Sequence, residues 1–490
     1  MRLAPRPTVY EINTAVWLTR LGQDGVARGG LGDVPGEQWD AVAGRPIDAV
    51  WLMGVWQRSP AGLEIALADP TLQAGNRAAL PDLHPEDVIG SPYCVRDYVV
   101  DDRFGGPDGL AAAREQLARR GLGLILDYVP NHVAPDHPWL TERPDCFLPG
   151  SDEELAQHPE AFLPTAGGVV AKGRDPYFPP WPDVVQLNAF APALRDAVAD
   201  MLIGLGAQCD GLRCDMAMLM TNEVFARTWG ERAGSPPCAE FWPVLIERVR
   251  SAHPDLLFMA EAYWDMEWTL QQQGFDLCYD KRLYDRLVHE SAESVRGHLQ
   301  ADASYQERLI RFIENHDEPR AAATFAPAKA RAAAVVMSTL QGARLYHDGQ
   351  LEGRRTRIPV FLGRGPDEPA DGDLRAFYDR LLRAIADAQL RDGDWRLCET
   401  VGWPDNDSHR QLVSWCWATD DSRDLVVVNL SDGPAQACVH LPWTDMSGRR
   451  WALTDRLDSR SFERDGDDLT AAGLYVALDP WACHFLSFAT

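Results

Sequence analysis

The first three-quarters of the chain alternates short, almost wholly apolar runs with longer stretches in which apolar residues recur every three or four positions. A short apolar run suits a strand buried on both faces of a parallel sheet, whereas spacing of three and four marks one buried face of a helix. Eight runs read as strands: TVYEINTAVWL (8–18), IDAVWLM (47–53), GLGLILDYV (121–129), CDGLRCD (209–215), DLLFMAE (255–261), FDLCYD (275–280), LIRFIENHD (309–317) and GARLYHDG (342–349). Between them, PDGLAAAREQLARRG (107–121) and APALRDAVADMLIGLG (191–206) read as amphipathic helices with glycine near their ends. Eight strands with helical crossovers predict an α/β fold, the closed (β/α)8 TIM barrel; an open doubly wound sheet shares this periodicity and stays open as an alternative.

Two stretches depart from the alternation. After the third strand, residues 133–188 are rich in Pro, Asp and aromatic residues, up to PYFPPWPDVVQLN. So long a connection is usually functional, and its position predicts a lobe inserted over one end of the barrel. From residue 396 the runs QLVSWCWAT, DLVVVNLSD, QACVHLPW, LYVALD and CHFLSF alternate in and out between Asp, Gly and Ser turns, which predicts a C-terminal antiparallel β-sandwich. The expected division is a barrel from 1–132 and 189–395, an inserted lobe at 133–188 and a β-sandwich domain at 396–490.

Composition narrows the partners. A chain of 490 residues with 46% hydrophobic and 24% charged residues is ordinary for a globular protein with a sizeable core. A formal charge of -26 repels phosphate backbones and anionic lipid, so neither nucleic acid nor membrane is expected as a partner and a neutral ligand suits better. The opening MRLAPRPTVYEIN has no basic segment followed by an apolar one, and the expectation is a cytoplasmic protein. Ten cysteines without a CxxC pair predict reduced, mostly buried thiols. Cys209 and Cys214 bracket a strand but lack thiolate-metal spacing, so no metal site is expected there.

The chemistry gathers at strand ends. Asp127, Asp215, Glu261 and the pair His316-Asp317 each close an apolar run, and in a barrel the carboxyl ends of the strands converge. A single acid at such a place is most simply a cap or the start of a loop. Four on one rim, beside a long insertion, point to a site. Paired carboxylates suit cleavage of a glycosidic bond, which needs one ionised group to attack the anomeric carbon and one protonated group to supply the leaving oxygen. Arg213 stands two residues before Asp215, on the same strand face, where it can keep that acid ionised; a plain salt bridge fits the spacing equally. Glu261 is followed by Tyr263 and Trp264, which predicts a drier setting that favours its protonated form.

The segments DYVPNH (127–132), GLRCD (211–215), MAEAYW (259–264) and ENHD (314–317) resemble the four successive signature regions of the α-amylase superfamily, glycoside hydrolase family 13. GSPYCVRDYVVDDRFGG (90–106) and YHDGQLEG (346–353) are also similar to it, so the resemblance runs from residue 8 to about 353. It implies that Asp215 is the nucleophile, Glu261 the proton donor and later the base, and Asp317 the carboxylate that holds sugar hydroxyls. It further implies that Arg213, His132 and His316 frame the glycosyl subsite, that Tyr93 stacks beneath the ring, and that Asp127 and Asn131 brace the third-strand loop. Trp139, Trp181 and Trp264 are candidate stacking platforms, with ordinary loop packing the alternative. No cofactor is implied as a requirement; Asn131 and Asp175 are the residues around which a calcium ion would be sought.

Two features depart from the family pattern. Met218 and Leu219 stand where many amylases carry Lys-His on the leaving side, and WPDVVQLN (181–188) is similar to members acting on short oligosaccharides. The resemblance therefore implies a retaining hydrolase of α-1,4- or α-1,6-linked glucans or maltooligosaccharides. The alternatives are a transglycosylase with the same residues, or a non-catalytic carbohydrate-binding or assembly module; retention of all three carboxylates argues against the last.

Overall fold

The computed structural model describes residues 2–26, 29–388, 390 and 393–489. Each of the eight expected runs contributes a strand: β1 (Thr8–Asn13), β2 (Ala49–Met53), β3 (Gly123–Tyr128), β4 (Gly211–Cys214), β5 (Leu257–Ala260), β6 (Leu277–Tyr279), β7 (Leu309–Arg311) and β8 (Ala343–His347). They form a closed barrel in the order β1-β8-β7-β6-β5-β4-β3-β2, the singly wound order of successive right-handed crossovers. The open-sheet alternative is thereby removed. Every residue of β2, β3, β4 and β5 is buried, which is why these segments read as unbroken apolar runs.

The first run is shorter as a strand than its hydrophobicity suggests. Asn13 ends β1, and its side chain accepts the Val16 N–H, so that Thr14–Gln23 continues as a helix. A side-chain N-cap of this kind satisfies one of the free amides of the first turn and switches the backbone from extended to helical within one residue.

The chain divides into two compact units. The first comprises chiefly Val9–Tyr279 with Thr356–Asp367, and the second chiefly Asp280–Arg355 with Glu368–Thr490. Within the first unit, the segment after β3 leaves and returns as a two-stranded ribbon, His132–Val133 pairing antiparallel with Val185–Gln186. Further out, Phe162–Thr165 and Gly168–Ala171 form a hairpin. The ribbon places His132 opposite Gln186.

Within the second unit the C-terminal strands are β9 (Asp394–Val401), β10 (Leu412–Ala418), β11 (Arg423–Asn429), β12 (Ala435–His440), β13 (Arg450–Asp455), β14 (Ser461–Asp465), β15 (Leu474–Leu478) and β16 (Cys483–Ala489). The expected C-terminal antiparallel β-sandwich takes the form of one continuous strand order, β14-β13-β16-β11-β10-β9-β12-β15. β9 is the fold line: Asp394–Cys398 pairs with β10 and Glu399–Val401 with β12. Leu412, Leu425, Val427, Val439, Trp451 and Phe488 meet in its core. On the other face of β10, the indole N–H groups of Trp415 and Trp417 both donate to the Thr339 carbonyl, at 3.1 and 2.7 Å. All ten cysteines are unpaired, seven of them buried. Among the described residues no helix is long and apolar enough to cross a membrane.

Candidate active site

The register of the barrel assembles the site around Arg213. On β4 this residue lies level with Asp127 of β3 and Met259 of β5. The ladders continue past the strand ends, with the Asp215 N–H donating to the Tyr128 carbonyl (2.8 Å) and the Glu261 N–H to the Cys214 carbonyl (3.0 Å). The two acids are therefore set side by side, each one residue past the end of adjacent strands.

Arg213 is completely buried. One terminal nitrogen, Nη1, donates to Asp215 Oδ1 at 2.8 Å and lies 3.7 Å from Asp127 Oδ1, while Nη2 lies 2.7 Å from Glu261 Oε2. Its Nε donates to the Tyr279 hydroxyl at 3.3 Å. The rings of Trp51, Tyr93 and Tyr279 surround the guanidinium with centroids 5.2, 5.3 and 5.7 Å from Cζ. Burial opposes a charge on Arg213, but Glu261 first, then Tyr279, Tyr93 and Asp215, outweigh it and hold its pKa well above the ordinary value. The planar fork is what permits this: a guanidinium presents fixed, divergent N–H groups to two carboxylates at once.

Beside this ion pair, Glu261 has two hydrogen-bond donors. The Met216 N–H reaches Oε2 at 2.7 Å and the Tyr263 hydroxyl reaches Oε1 at 2.8 Å. Met216 carries φ of 41°, unusual for a side chain of its size. Strain of this kind persists where surrounding contacts over-determine it, and here the turn aims an amide at the neighbouring acid. The expected aromatic setting of Glu261 is realised through Tyr263 as a hydrogen-bond donor. Trp264 packs edge-on against Tyr177 of the insertion, with centroids 4.8 Å apart. Charged and polar partners, more than a dry pocket, surround this buried acid.

Asp127 and Asn131, at the end of β3 and in the loop after it, are both hydrogen-bonded within the first unit. Asp127 Oδ2 accepts the Gly54 N–H at 2.9 Å, and its carbonyl accepts the Trp56 indole at 2.6 Å. Asn131 is bound on both sides by Gln186: the Gln186 Nε2 donates to the Asn131 Oδ1 at 2.8 Å and to its carbonyl at 2.9 Å, while Asn131 Nδ2 donates to Gln186 Oε1 at 3.2 Å. His132 lies beside Asn131 and 5.0 Å from the Trp181 ring, and it hydrogen-bonds the Tyr93 backbone. Burial pushes its imidazole down to about 4, so it is neutral at ordinary pH. Tyr93, His132 and Arg213 thus belong to one cluster. Trp139 packs instead against His137, with centroids 5.2 Å apart.

His316 and Asp317 are in the second unit. His316 is buried and its Nε2 lies 3.0 Å from Asp317 Oδ2, whose carboxylate is 42% exposed. The turn that presents them is set by Asn315, whose Oδ1 accepts the N–H groups of Asp317 and Glu318, both at 2.9 Å. Beneath it, buried Glu314 accepts from Arg320 Nη1 at 2.5 Å and from the Ala321 N–H at 2.7 Å. Burial favours a proton on Glu314, but Arg320 and His347 outweigh it and hold its pKa below the usual range.

Met218 and Leu219 lie in the short helical turn Ala217–Met220, all four residues buried. They present no polar group to a leaving sugar. The oxygens sought for calcium are committed elsewhere: Asn131 to Gln186, and Asp175 Oδ1 to the N–H groups of Tyr177 and Phe178, at 2.6 and 2.9 Å. A calcium ion takes six to eight oxygens, and these two side chains supply only a part of such a set. Among the described residues no group of three or more His, Cys, Asp or Glu is placed to hold a metal.

Comparison with known proteins adds relatives of one kind. No family model matches the chain. It is 24% identical over 323 residues to the α-amylase MalA of Haloarcula japonica, covering 64% of this chain and 44% of that protein. It is 28% identical over 204 residues to an α-1,4-glucan:maltose-1-phosphate maltosyltransferase of Burkholderia pseudomallei, covering 40% of this chain and 15% of that protein. The matches therefore span less than half the length of these relatives. Among solved structures, an α-amylase of Geobacillus thermoleovorans, in complex with acarbose, superposes with a TM-score of 0.69 over the whole of both chains at 17% identity. The chain is similar to members of the α-amylase superfamily and shares their fold. Sequence spacing alone places Arg213 on the strand face of Asp215. It missed Gln186, Tyr279 and the double engagement of Arg213, because each depends on a strand or ribbon distant in sequence.

Proposed function

We propose that this protein is an α-amylase-superfamily enzyme, a cytoplasmic glycosidase that cleaves α-linked glucans or maltooligosaccharides with retention, by double displacement. The observation that carries the reading is the single buried guanidinium between Asp215 and Glu261. Asp215 attacks the anomeric carbon, and the bond to the leaving oxygen breaks as Glu261 delivers its proton there. Once Asp215 is esterified its charge is gone, and the Arg213 charge beside Glu261, with the Met216 amide and the Tyr263 hydroxyl as its donors, stabilises it as the anion that deprotonates water.

His132, neutral and rigidly held, and Tyr93 are assigned to the bound glycosyl ring, with Trp181 beside them. Asp317 and His316 are assigned to its hydroxyls on the strength of the ENHD motif. Asp127 and Asn131 act as braces. The unpaired cysteines suit a reducing compartment. A hydrophobic Met218-Leu219 turn removes the usual polar hold on the leaving side and favours short acceptors, so transfer to a second sugar is the alternative outcome of the same intermediate.

Following maltooligosaccharide cleavage by NMR tests the mechanism, with α-configured products expected first and β-configured products contradicting it. Asp215→Asn is expected to lower kcat by at least about a thousandfold. Activity within tenfold of the parent would assign the nucleophile elsewhere.

A further inference from the structure

The C-terminal β-module carries a pair of aromatic rings turned to solvent. Trp403 and Tyr475 are 40% and 50% exposed, yet their centroids lie 6.2 Å apart with planes inclined by 37°. Singly scattered exposed rings need no explanation, whereas two that are mutually oriented form a small apolar patch. Tyr475 stands on the outward face of the edge strand β15, opposite Cys438 of β12, and next to it on that face is the small residue Ala477, so the ring is not overgrown.

Both rings are held in place. The Tyr475 hydroxyl donates to Gln436 Oε1 at 3.1 Å. Trp403 opens a turn closed by the Asn406 N–H donating to its carbonyl at 2.8 Å. That turn is tied to β12 by Asn406 Nδ2 donating to the Gln436 carbonyl at 2.8 Å. A pre-ordered platform loses little entropy when it is occupied.

The surroundings discriminate among occupants. Asp405 and Asp407 are exposed on the turn, and with a net charge of -26 they disfavour a phosphate or other anion. Two rings ringed by amides and carboxylates form a patch far smaller than the roughly 800 Å² per partner of a stable protein interface. A neutral ligand with one apolar face and a rim of hydroxyls fits: the C–H face of a pyranose packs on an aromatic ring while carboxylates and amides take its hydroxyls.

We propose that Trp403 and Tyr475 form a second, non-catalytic binding platform for an α-glucan chain, resting on the reading of the protein as α-glucan-active. It holds a polymer while the catalytic residues act on it, raising the local substrate concentration without taking part in bond breaking.

Native electrophoresis through gels containing glycogen tests this, alongside hydrolysis of a chromogenic maltotrioside. The parent should be retarded by glycogen. The double variant Trp403→Ala/Tyr475→Ala should bind about tenfold more weakly, with kcat/KM on the maltotrioside within about twofold of the parent. Tyr475→Phe keeps the ring and should keep most of the retardation, which separates platform loss from damage to the module. Equal retardation of parent and double variant, or no retardation of the parent, overturns the platform. A concentration-dependent dimer in sedimentation that the double variant abolishes also overturns it, by making the patch a protein interface. A parent inert on every α-glucoside but retarded through the two rings would refute the catalytic reading and leave the platform standing.

Discussion

Replacing Arg213 with lysine probes the feature on which the site depends. The guanidinium now meets Asp215 at 2.8 Å and Glu261 at 2.7 Å through different nitrogens, in complete burial. A lysine ammonium keeps the charge but not the fork, and from β4 it can serve one carboxylate well and leave the other short of a partner. Loss of one charge-assisted hydrogen bond in a buried setting costs about 2 kcal/mol, with a similar sum for leaving a carboxylate under-solvated. Stability should fall by about 2–4 kcal/mol, read as a lower urea midpoint at unchanged m. The rate should fall further, because positioning and electrostatic hold on the developing ester fail together: kcat on a chromogenic maltotrioside is expected to drop about 100- to 1000-fold with KM changed by less than about fivefold. A lysine variant with kcat within about threefold of the parent would show that the shared fork is not what sets the site.

Two buried groups predict pH effects of opposite sign on stability. Burial, with Arg96 adding to it, lowers the His137 imidazole to about 4 from 6.5, so between those values the unfolded chain binds more protons than the folded one. Stability should therefore rise with pH across that window, by about 3 kcal/mol from this residue; His137→Gln should flatten that rise in urea titrations at pH 4.5 and 7, and an unaltered slope would contradict it. Burial raises the Asp183 carboxyl to about 6 from 3.8, so here the folded chain binds more protons and stability is lost as pH climbs through the window. Asp183→Asn should stabilise by up to about 3 kcal/mol at pH 7 and by close to nothing at pH 3; an equal gain at both would trace the effect to packing.

The eight barrel strands were legible because burial on both faces writes itself into consecutive apolar residues, as in AVWLM and GLILDY. The placement of Arg213 beside Asp215 was legible for a similar reason, the two-residue period of a strand. The limits were equally local. Hydrophobicity carried the first strand on to Leu18, when Asn13 had already capped a helix, and alternation in the C-terminal module did not show that β9 joins both halves of one sheet.

What the sequence determined by itself is a list of residue types at strand ends and the barrel that gathers them. Tertiary structure alone decided that Glu261 shares the guanidinium of Asp215, that Gln186 clamps Asn131 from the far end of a 50-residue excursion (the two are 55 positions apart), that Met218 and Leu219 turn inward, and that Trp403 and Tyr475 meet outside. Each of these is a contact between segments whose spacing is set by inter-strand register and by how a loop returns, and hydrogen bonds between distant strands, unlike periodicity within one, leave no local trace in the order of residues.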